Sequence, residues 1–91
     1  MVEQLKKILM ILEYEIKSNN SVWDKQQIIH IVKPEIEELY NHFINGEVFF
    51  KYGKKQRMLE STYIITDSIK NLASTNLGKE IIRLQELYSK L

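Results

Sequence analysis

Apolar residues recur along this chain at intervals of three and four, the spacing that lines one side of a helix, in four separate blocks. The block from Lys55 to Ala73 is the most regular. On a helix turning about 100° per residue, Met58, Thr62, Ile65, Ile69, Leu72 and Ala73 share one face, and Glu60, Asp67 and Asn71 gather opposite. Ser61, Thr62, Thr66 and Ser68 are small residues in or beside that stripe, so a neighbouring helix can approach closely. Residues 2–18 place Val2, Leu5, Ile8, Leu9, Leu12 and Ile16 in one stripe, yet Met10, Ile11 and Tyr14 lie on the far side. A helix that is apolar on two sides is usually buried on two sides. In so short a chain the second cover is expected to be another copy of it; the plainer reading leaves Met10 and Tyr14 as ordinary surface apolar residues.

The second block keeps its helical phase across Pro34: Ile28, Val32, Ile36, Leu39 and Phe43 follow one another at steps of four, four, three and four. That favours one long helix over 21–45, kinked at the proline, above two helices split there. Ser21 reads as its N-cap, with Asp24 returning a bond, and Gly46 as a left-handed stop. The last block, Leu77, Ile81, Leu84, Tyr88 and Leu91, predicts a helix over 75–91 capped by Thr75 or Asn76. Only residues 47–53, EVFFKYG, lack helical period; being aromatic and β-branched between two glycines, they are expected to be extended.

The expected fold is therefore all-α: an antiparallel bundle of four helices near 2–18, 21–45, 54–73 and 75–91, one domain over 1–91. Met58 and Ile69 are expected in its core beside the leucines and isoleucines of the other stripes.

Composition narrows the function classes. The 44% apolar and 27% charged content is that of an ordinary globular protein. With no cysteine, disulfides, thiolate nucleophiles and cysteine-held metals are excluded, and a cytoplasmic location is expected. The apolar run near the start is broken by Glu13 and Glu15, unlike a signal peptide, and no stretch approaches the ~20 apolar residues that span a membrane. Net charge is +1, far from the basic balance of a dedicated nucleic-acid binder.

Three groups of residues carry candidate chemistry. Lys51, Lys54, Lys55 and Arg57 interleave with Phe49, Phe50 and Tyr52; cations hold phosphates and aromatic faces stack bases, so this segment is a candidate for nucleic acid or another polyanion. The plainer reading has the aromatics closing the core and the lysines solvated. Glu35, Glu38 and His42 fall on one helical face and suggest a metal site, but a spacing of four in a single copy departs from the Glu-x-x-His pattern of di-iron bundles. A solvated Glu–His pair on an acidic outer face fits better. His30, on the side of Trp23, reads as a structural histidine packed beside the indole. Trp23 is either an interface anchor or a lid over the core. No Gly-rich phosphate loop or nucleophile elbow is present, and Glu60 and Asp67 read as solubilising charges.

The function expected from these features is a small non-enzymatic interaction or regulatory module, self-associating as a homo-oligomer, most simply a dimer, with no cofactor. Met10, Tyr14, Trp23, Phe49, Phe50 and Tyr52 are its candidate contact residues. Bacterial regulators, antitoxin-like inhibitors and immunity proteins are built on this scale, an analogy of size and fold class alone.

Overall fold

The computed structural model describes residues 1–46 and 58–91, and every regular element among them is helical. Helix α1 is Val2–Lys17; α2 occupies residues 25–44; α3 is Glu60–Asp67; α4 is Asn76–Ser89, preceded by a 3-10 turn at Leu72–Ser74. The expected extended segment 47–53 and the expected helix start at 54 lie outside the described residues. Helix α1 packs against both α2 and α4, while α3 contacts α4 and the first half of α2.

Helix α2 begins three residues later than the pattern suggests. Asp24, not Ser21, is its cap: the Asp24 carboxylate accepts hydrogen bonds from the Gln26 and Gln27 amides. Ser21 is otherwise engaged, donating to Glu15 and accepting from the Trp23 amide. The helix then runs unbroken through Pro34, as its phase implied. What accommodates the proline is a π turn at Ile28–Val32, where the Lys33 amide reaches back five residues to the Ile28 carbonyl. Pro34 offers no N–H, and its ring crowds the carbonyl four residues earlier. A wider turn just before it relieves that crowding without ending the helix. Gly46 stops the helix with φ +74°, as expected.

Helix α3 is far shorter than its apolar stripe. Ser68 is already extended, and its hydroxyl accepts from the Lys70 amide, a local bond that competes with another helical turn. The negative charge of Asp67 at the helix end also disfavours continuation. Two expected core residues consequently fall outside. Ile69 is fully exposed and Met58 is exposed, whereas Leu72 of the same stripe is buried as expected, and Leu59, which is not in the stripe, is buried as well.

Eight residues make too short a helix to persist without tertiary support. Its first amides are met from other helices instead. Glu35 on α2 accepts from the Glu60 amide at 2.9 Å and from the Ser61 amide and hydroxyl at 2.9 and 2.7 Å. Gln85 on α4 accepts from the Leu59 amide at 2.8 Å and from the Thr62 hydroxyl at 2.9 Å. The small side chains Ser61 and Thr62 allow that approach, and both are buried.

The start of α4 turns on one hydroxyl. Thr75 Oγ1 donates to the Leu72 carbonyl at 2.6 Å and accepts from the Gly78 amide and from Trp23 Nε1, each at 3.0 Å. One donor and two acceptor sites are thereby used in full. Gly78 fits so closely here that a Cβ would overlap the Leu72 carbonyl oxygen.

Replacing Thr75 by Val, which removes the cap and leaves a buried indole N–H without a partner, should cost about 2–4 kcal/mol in urea unfolding, and Ser far less. Glu35→Gln should cost about 1–3 kcal/mol, because an amide offers one acceptor oxygen where two are used. Glu38→Gln on the exposed side of α2 should change stability by less than about 0.5 kcal/mol in the same assay.

Candidate interaction surface

Helix α1 has one side spent on the core and the other open. Leu5, Ile8 and Leu12 are completely buried, and Leu9, Ile11 and Ile16 pack against the core in part. Opposite them, Met10 and Tyr14 stand one turn apart at 75% and 72% exposure. The exposed positions around this pair are all charged: Glu3, Lys6, Lys7, Glu13 and Lys17. An apolar centre within a charged border is the anatomy of a contact surface.

The border is tied to the rest of the fold. Lys33 on α2 pairs with Glu13 at 3.2 Å, and Lys6 lies 3.9 Å from Glu3. Lys7 pairs at 3.2 Å with Glu80 of α4, whose side chain is almost wholly buried. Glu80 is also met by Arg83 at 3.4 Å and by Gln4 Nε2, which donates to its carbonyl at 2.9 Å and its carboxylate at 3.3 Å. Burial pushes the Glu80 carboxyl toward its neutral form. The hydrogen bonds from Lys7 and Gln4 and the charges of Arg83 and Lys7 outweigh it, holding the group below the usual carboxylate range.

The other sequence candidates are distributed differently. Trp23 is 4% exposed and bonded to Thr75, so it is a core residue and not available as an anchor. His30 is exposed, and its Nε2 shares a 3.0 Å hydrogen bond with Gln26 one turn earlier. Glu35 is neither solvated nor grouped for a metal, since both its oxygens are engaged at the start of α3. No group of three or more His, Asp or Glu among the described residues could hold a metal ion. Phe49, Phe50, Lys51, Tyr52, Lys54, Lys55 and Arg57 lie outside the described residues.

Glu60 and Asp67 do have a concave setting that their sequence gives no hint of. With Gln27, Ile31, Tyr63, Ile64 and Ser68 they line an open groove of about 380 Å³ between α3 and the π turn. Its carboxylates are seven residues apart, about 10 Å along the helix, too far to act on one atom.

Compared with known proteins, the chain matches no family model, no curated protein and no solved structure. No helix among the described residues is long and apolar enough to cross a membrane.

The Glu80 cluster sets an acid limit. A group whose folded pKa is lowered binds its proton more readily in the unfolded chain, so its stabilising effect is complete above about pH 4.5 and fades as pH falls through the folded value. Glu80→Gln should therefore be less stable than the parent at pH 7, and the two should converge as unfolding is measured below pH 4.5.

Proposed function

We propose that this chain is a small, non-enzymatic helical module that works through protein–protein contacts and associates with itself, using the outer face of α1. The observation that carries this reading is the pairing of Met10 and Tyr14, both about three-quarters exposed, on a helix whose other side is sealed into the core. One exposed apolar side chain is unremarkable. Two on successive turns, one a methionine and one a tyrosine, have the composition of interface centres rather than of solvated surface.

The scaffold suits that role. We read the four helices as an antiparallel bundle, because residues 18–24 and 68–75 are short connections and short connections join helices running in opposite directions. In such a frame α1 is held on two sides, by α2 and α4, and presents its third as a stiff platform.

Sedimentation equilibrium of the purified chain is expected to show reversible association rising through the high micromolar range. The double variant Met10→Glu, Tyr14→Glu is expected to stay monomeric with unchanged helicity, since neither side chain supports the core. A parent protein that remains a clean monomer throughout that range overturns the reading.

A further inference from the structure

The occupant of this face follows from the order of its charges. We propose that it is a second copy of the chain, its α1 lying antiparallel to the first with Met10 at the two-fold axis; this rests on the interaction reading above and gives it a geometry. A two-fold axis across an antiparallel helix pair brings each position before Met10 in one copy opposite the position equally far after Met10 in the other. Counted outward from Met10, the exposed charges that have a charged counterpart at the same distance, Glu3 with Lys17 and Lys7 with Glu13, are opposite in sign. Glu3 stands seven residues before it and Lys17 seven after. Lys6 stands four before and Glu13 three after; Lys7 stands three before and Tyr14 four after.

The angular positions agree. At about 100° per residue, Lys6, Glu13 and Lys17 fall to one side of Met10, and Glu3, Lys7 and Tyr14 to the other. When two helices pack face to face and antiparallel, like edges adjoin. Glu13 of each copy then faces Lys6 of the other, offset by one residue or about 1.5 Å. On the opposite edge Tyr14 faces Lys7, whose ammonium and stem can lie over the ring. Glu3 and Lys17, both near the centre line, meet at the two ends. Symmetry makes every contact twice, and no like charges face each other. A parallel pair would set Glu3 against Glu3 and Lys17 against Lys17.

The groups are within reach of a partner. The side chains of Glu3, Lys6, Lys7 and Glu13 are 91%, 53%, 55% and 55% exposed despite their contacts within the chain. Lys33, which pairs with Glu13, adds a further cation beside the Lys6–Glu13 edge. A single pair of helices buries less than the ~1,600 Å² of a standard interface, so the association is weak and reversible.

The test uses the full chain. Lys6→Glu and Glu13→Lys are each expected to weaken dimerisation about fivefold in sedimentation equilibrium, and the double variant to return within about twofold of the parent. Because the sequence contains no cysteine, single cysteines report the register directly. Under mild oxidation Met10→Cys should cross-link to itself, and Lys17→Cys should cross-link to Glu3→Cys in a mixture while neither does so alone. A dimer whose exchanged charges do not rescue each other, or in which Lys17→Cys joins itself, overturns this arrangement and leaves the self-association reading standing. A parent protein that is monomeric at high micromolar concentration overturns both.

Discussion

A carboxylate on one helix closes the beginning of another, and the topology of this small protein hangs on that contact. Glu35 offers both oxygens to the first amides of α3, where the partial positive charge of the helix start also favours an anion. Gln85 meets the amide just before them. Helix α3 is thus defined by its neighbours more than by its own sequence. Its isolated propensity is modest, with β-branched Thr62, Ile64, Ile65 and Thr66 in eight residues. Glu35 can reach it only because α2 does not break one residue earlier at Pro34. The π turn that absorbs the proline and the carboxylate that caps α3 are two parts of one device.

That device also explains what sequence could and could not foretell. The α1 stripe and the continuity of α2 are local matters, set by spacing and by residues adjacent in the chain, and both were legible; the cap of α4 was narrowed to Thr75 or Asn76, of which Thr75 serves. The length of α3 was not. Its apolar stripe keeps helical phase through Leu72, and nothing in that stripe marks Ser68 as the stop; the stop comes from a serine hydroxyl competing for the Lys70 amide. Ile69 was misplaced for the same reason, since a residue in phase with a helix that has ended points wherever the next turn sends it. In the sequence Glu35 figures only as a neighbour of the Glu38–His42 pair; the donors that bury it are supplied by the tertiary arrangement alone.

The candidate surface was half legible. Met10 and Tyr14 stood out as apolar residues on the wrong side of an amphipathic helix, and they are exposed there. Trp23 shared the same outward signs, an aromatic off the main stripe near a helix start, but a hydrogen bond across fifty-two positions of sequence takes it inside. The sign order of the charges around Met10 was present in the sequence throughout. It acquires meaning only once the exposed side of α1 is known, because half of those positions could otherwise have been packed against α2 or α4.

Gly78 has a consequence for how this protein can vary. Elsewhere in a helix alanine is the favoured small residue and glycine the weak one. Here the Leu72 carbonyl oxygen occupies the volume a methyl group would need. The crossing point between the 3-10 turn and α4 is therefore a fixed pivot. Side chains along the outer side of α4 can drift with little penalty, while the smallest conceivable enlargement at this one spot would force the two segments apart and pull the indole of Trp23 away from its anchor.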